Sequence, residues 1–155
     1  MIRVRGVPFL LALAMLATSA CDGMPRDPER SLETARGGTL RVGVTDAPPW
    51  LERPGGPGAE PSGPEAELVR SFAASIGARV AWVPGPLDDL MERLERFELD
   101  LIAAGLTEGT AWQGRVGLST PWLEEEGGPA RVLAVPPGEN ALLVALDRHI
   151  LRADP

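Results

Sequence analysis

Two hydrophobic periods, one of strands and one of helices, alternate along residues 39–152. TLRVGVTD (39–46) sets Leu40, Val42 and Val44 on one face, the two-residue period of a strand. APPW (47–50) ends it, since proline offers no N–H to a ladder, and ERPGGPGAEPSGP (52–64) is loop. EAELVRSFAASIG (65–77) changes to helical spacing through Leu68, Phe72 and Ile76, with Gly77 where a C-terminal cap belongs. ARVAWV (78–83) is a second strand. PLDDLMERLERFE (86–98) is a second helix with Leu87, Leu90, Met91, Leu94 and Phe97 in one stripe. LDLIAAG (99–105) is apolar enough for a central strand covered on both faces. ARVLAVP (130–136) gives a fourth strand, and ENALLVALDRHILR (139–152) a closing helix with Leu142, Leu143, Leu146 and Ile150 inward. This order predicts an α/β fold, a three-layer sandwich on a mostly parallel sheet of four or five strands. Right-handed crossovers place the first strand between the second and third. Ligands of such sheets bind beyond the carboxyl ends of the strands where the order reverses, here near residues 45–50 and 104–107.

The amino-terminal stretch follows neither period. Arg3 and Arg5 precede the apolar run VPFLLALAMLA (7–17), and Thr18, Ser19 and Ala20 lead to Cys21. A run this short falls below a comfortable bilayer span and fits a secretory signal over residues 1–20, with a short membrane anchor or a buried helix as the alternatives. Cys21 is the only cysteine, which excludes an internal disulfide. A lone cysteine after small residues resembles the lipobox of bacterial lipoproteins, although Thr18 stands where an aliphatic residue is usual. That resemblance implies lipidation of Cys21 and a periplasmic protein anchored in a membrane. Asp22 follows Cys21, and an aspartate there marks inner-membrane retention in the lipoproteins of enteric bacteria, so the resemblance implies the inner membrane. DGMPRDPERSLETARGG (22–38) has no apolar period, so residues 21–38 read as a lipidated cysteine and flexible tether, with the lobe at 39–152. Loss of Arg3 and Arg5 with the signal moves the formal net charge from −7 to −9, which argues against nucleic acid and against docking on anionic lipid.

Several of these segments taken together resemble a known family. LRVGV followed by PPW, then GPEAEL (63–68), SIGARVAWVP (75–84), LMERLERFELDLIAAGLT (90–107) and LSTPW (118–122) are similar to the amino-terminal lobe of bacterial extracellular solute-binding proteins of the amino-acid-binding type. Residues 130–150 resemble the family's closing segment, where the chain returns to that lobe. A second lobe, on the order of a hundred residues, stands between these segments in the family. Here LEEEGGPA (123–130) joins them directly, so the resemblance is to a single lobe. It implies no cofactor. The implied partners are a small polar solute, a membrane transporter subunit, or a second copy that completes the cleft. The role implied is an accessory, sensor or low-affinity binding component of a transport system, or substrate capture for an ABC-type importer.

The resemblance assigns ligand-facing positions to Asp46, Trp50, Glu67, Gly105, Thr107, Trp112 and Arg115. Trp50 stands where the family places an aromatic ring in the cleft, and a Trp capping the sheet edge is the alternative. Glu65 and Glu67 match two acidic positions, and both also suit a helix start, where negative charge complements the dipole. Thr107 matches a residue that holds a ligand carboxylate, or serves as a turn residue. Trp112 falls where the family has a carboxylate-clamping arginine. Indole has one N–H and no charge, so a free carboxylate loses its fork-shaped partner, with Arg115 three residues on as the candidate substitute. His149 fits a surface or cap role. One His and one Cys assemble no catalytic set and no metal-ligand spacing, and Gly55, Gly56 and Gly58 do not follow the order of a phosphate loop. Binding is therefore expected in preference to catalysis.

Overall fold

A computed structural model describes residues 27–53, 59–124 and 127–153, and the signal and Cys21 lie outside them. Strand β1 (Thr39–Val44) is the hub. It pairs in parallel with β2 (Arg79–Pro84) on one side and β3 (Leu101–Ala103) on the other, as the crossover rule requires. Beyond β3 the sheet turns antiparallel through β5 (Ala134–Val135) and then β4 (Gly117–Leu118), giving the order β2-β1-β3-β5-β4. The sheet is therefore mixed, with its parallel half carrying the longer strands.

Helices cover both faces. α2 (Pro64–Ser75) and α4 (Asn140–Ala153) cover one, where Leu40, Val42, Val44, Leu101, Ala103, Leu133 and Val135 meet Val69, Phe72, Leu142 and Leu146. α3 (Leu87–Glu95) covers the other, where Leu90, Met91 and Leu94 meet Leu99, Ile102, Val132 and Ala134. Residues 101 to 104 alternate between these two cores, so β3 is apolar on both sides, as its sequence predicted. α3 ends at Glu95 instead of reaching residue 98. Phe97 has φ 59°, outside the helix, and the Glu98 N–H returns to the Arg93 carbonyl at 2.9 Å.

The largest difference from expectation lies ahead of Thr39. Residues 27–38 are part of the fold, and include a short helix α1 (Ser31–Ala35) with Leu32 and Ala35 buried. Two carboxylates fasten it crosswise to α4. Asp27 accepts from Leu32 N–H at 2.9 Å, Ala141 N–H at 2.7 Å and Leu142 N–H at 3.1 Å. Glu139, itself 1% exposed, accepts from Glu29 N–H at 2.8 Å and Ser31 N–H at 2.9 Å. Each acid thus caps the first turn of the other's helix. A five-residue helix is too short to show a period, which is why this stretch reads as tether.

Candidate functional site

The carboxyl ends of β1 and β3 open onto one end of the sheet, and three loops converge there. The loop after β1 is closed by Asp46, whose carboxylate accepts from Arg53 N–H at 2.7 Å and Arg53 Nη2 at 3.2 Å. Asp46 is exposed and shapes this loop. The loop delivers Trp50 to the start of α2, where the Trp50 carbonyl accepts from Glu65 N–H at 3.0 Å. Gly63 makes this approach possible. It has φ 100°, and a Cβ there would lie 2.6 Å from the Trp50 carbonyl oxygen.

Glu65 is fully buried. One carboxylate oxygen accepts from Gly105 N–H at 2.8 Å. The other has no hydrogen-bond partner among the described residues. Burial pushes its pKa up to about 7, opposed by the hydrogen bond from the Gly105 N–H, by the nearby Ala104 N–H and by the charge of Arg131. Glu67, two residues on, is exposed in the same first turn, so of the two acids it is Glu65 that faces the strand ends.

Arg131 was not visible as a site residue in the sequence, yet it stands at the centre of the arrangement. Its guanidinium carbon lies 3.5 Å from the Trp50 ring centroid, and its Nη1 donates to the Gly105 carbonyl at 2.8 Å. Gly105 is thus held at its N–H by Glu65 and at its carbonyl by Arg131. Gly105 itself has φ 61°, and a Cβ there would lie 2.7 Å from that of Ala47. Backbone pairing explains where Arg131 points. The return segment runs antiparallel to residues 106–108, with Glu108 N–H to the Ala130 carbonyl at 3.3 Å and Val132 N–H to the Leu106 carbonyl at 3.0 Å. Strand alternation then puts Arg131 on the side of Leu133 and Val135, the face that α2 covers. The period-two run from 131 to 135, with a charge at the end of its inward face, was the available signal. Thr107 pairs with Arg131 as an isolated bridge, and its carbonyl accepts from Thr110 N–H at 3.0 Å in a turn.

Trp112 and Arg115 belong to a different place. Trp112 packs against the Leu90 and Leu94 core under α3. The Arg115 guanidinium covers the Trp112 ring at 4.4 Å and makes a two-pronged pair with Glu95, at 2.8 and 2.6 Å. Trp122 packs on the opposite core, with α2 and α4. Trp112 and Trp122 therefore lie on opposite faces of the sheet and share no surface. Arg115 does not take up the clamp role considered for it, since its fork is already filled by Glu95. Arg115→Ala is expected to change stability by less than about 1 kcal/mol, as for an exposed pair. Urea unfolding of the variant beside wild type checks this. His149 Nε2 lies 2.8 Å from Ser71 Oγ, and burial lowers its pKa. No group of three or more His, Cys, Asp or Glu suited to a metal occurs among the described residues.

The connecting loops gather where the strand order reverses, the end at which open α/β sheets bind ligands, and solved structures match this arrangement to a single lobe of the periplasmic-binding-protein fold. The sequence profile of the bacterial extracellular solute-binding proteins, family 3, matches residues 40–150, and the chain belongs to that family. No curated protein matches the sequence. Among solved structures, the arginine-bound form of domain 1 from TmArgBP is similar at a TM-score of 0.68 and 23% identity, over 77% of this chain and 97% of that one. An amino acid ABC transporter substrate-binding protein from Streptococcus pneumoniae Canada MDR_19A, bound to L-arginine, is similar at 0.66 and 11% identity, over 79% and 91%. The ancestral amino acid-binding protein AncCDT-1, a precursor of cyclohexadienyl dehydratase, is similar at 0.67 and 13% identity, over 79% and 92%. At these identities the likeness shows a shared fold. The family's role is solute binding, and these neighbours are binding proteins, one of them related to an enzyme.

Proposed function

We propose that the lobe binds a small polar solute, an amino acid or a similar molecule with a cationic group, on the face of Trp50. The carrying observation is the geometry there: a tryptophan ring with a cation against it at 3.5 Å, next to a carbonyl acceptor and a buried carboxylate. An indole face attracts cations by about 2 kcal/mol when desolvated. Thr107 and the exposed Asp46 border the same strand ends and contribute polar contacts. With no arginine in the Trp112 position, affinity comes from the cationic end of the solute more than from its carboxylate. In this reading the protein is a periplasmic lipoprotein anchored through Cys21, serving a transport system as an accessory, sensing or low-affinity binding component.

Substrate capture for an ABC-type importer is the second reading. It is favoured by the similarity to the Streptococcus pneumoniae transporter protein and by an arginine-bound structure of a lone domain of this fold. Small-ligand pockets commonly bury about 70–90% of the ligand surface. One lobe supplies one wall, so capture requires a second copy or a transporter subunit as the other.

Titrating a panel of amino acids by calorimetry tests the proposal. Saturation by a cationic member is expected, with Trp50→Ala lowering its affinity roughly 30-fold, the equivalent of about 2 kcal/mol. Equal binding by the alanine variant would remove Trp50 from the site. Micromolar saturation favours capture, and millimolar saturation favours the accessory role.

A further inference from the structure

The Trp50 site already holds a cation, and that cation belongs to the protein. The Arg131 guanidinium sits on the ring face at 3.5 Å and takes the Gly105 carbonyl at 2.8 Å. Glu65, whose carboxyl accepts from the N–H of the same residue, lies near enough for the charge of Arg131 to favour its ionised form. An aromatic face, a carbonyl and a carboxylate are what a planar cation from solution would require.

Arg131 fits this seat incompletely. It forms no ion pair among the described residues, its Nε is buried without a hydrogen-bond partner, and the free oxygen of Glu65 is likewise unpartnered. A buried donor or acceptor left unpaired is costly. A resident group with such a defect can be exchanged for one that satisfies more of the site. The same details exclude Arg131 as a carboxylate clamp in this arrangement. A fork needs two adjacent N–H groups aimed outward. One edge of the guanidinium loses Nε to burial, and the other loses Nη1 to Gly105.

We propose that Arg131 is a tethered occupant of the Trp50 site, competing with a free planar cation for the ring face and the Gly105 carbonyl. A solute such as a guanidinium compound enters when the Arg131 side chain swings out to solvent. Apparent affinity is then the intrinsic affinity reduced by the fraction of molecules whose site is open. The proposal rests on the reading of Trp50 as the solute site.

The test compares the full chain with Arg131→Ala, using L-arginine and guanidinium ion as probes in calorimetry. Removal of the occupant is expected to raise affinity for both by about tenfold or more. Adding Trp50→Ala should abolish the gain. Arg131→Gln, which keeps a donor for Gly105, guards against loss of the fold and should show the same direction. Wild-type binding with equal or weaker binding in both Arg131 variants would overturn the tethered occupant and leave the solute site standing. Absence of binding in every variant would overturn both. A second readout needs no solute. In a chain keeping only Trp50 through Trp82→Phe, Trp112→Phe and Trp122→Phe, Arg131→Ala should increase acrylamide quenching of the remaining tryptophan. Unchanged quenching would show that Arg131 does not cover the ring.

Discussion

Glu65→Gln is expected to remove a fall in stability of about 3 kcal/mol that the wild-type protein undergoes between about pH 4.5 and pH 7. The sign follows from proton counts. Glu65 is fully buried, and burial raises its carboxyl from 4.5 to about 7. Between those values the folded protein keeps a proton that the unfolded chain has released. Stability therefore declines as pH rises through this window, and the group adds no further slope above or below it. Glutamine keeps an acceptor for the Gly105 N–H and has no charge to bury. Urea unfolding of both proteins at several pH values measures the difference, so that other titrating groups cancel. Parallel stability curves would mean that Glu65 is ionised in the fold at low pH and that water or a counter-ion reaches it.

The second large effect is at the crossed helix starts. Asp27→Ala combined with Glu139→Ala removes the acceptors of five backbone N–H groups. Loss of a cap costs about 1 kcal/mol, and unpaired buried donors cost more. A combined loss of roughly 3 kcal/mol is expected, with a melting temperature lower by about 10 °C. Thermal unfolding followed by circular dichroism measures it. A melting temperature unchanged from wild type would return residues 27–38 to the status of a tether.

The legible part of this fold was the part with repetition. β1, α2, α3 and α4 each bury a stripe long enough to show its period, β3 showed as an unbroken apolar run, and the position of β1 between β2 and β3 followed from handedness alone. α1 and β4 were not legible, because five and two residues cannot establish a period. The site was read in halves. Trp50 and Gly105 were placed at the strand ends by the order of elements, and the structure brings them together. Glu65 and Glu67 are equivalent in sequence, and only the depth of α2 against the strand ends buries one and exposes the other. Arg131 comes from a segment 26 residues beyond Gly105 that the sequence marks only as strand, and its contact depends on antiparallel register. Trp112 and Arg115 were placed by the family resemblance, through their distance along the chain from Gly105 and Ser119. Counting gives a position along the chain and says nothing of which side of the sheet the loop folds toward.

The crossed carboxylates have a mechanical consequence. Asp27 is fastened to the first turn of α4, while β1 lies deep between two neighbours. Tension on the chain ahead of Asp27 enters through a pair of helix ends and must shear them apart before it reaches β1. The strand at the centre of the lobe is thereby shielded from whatever pulls on its leading end.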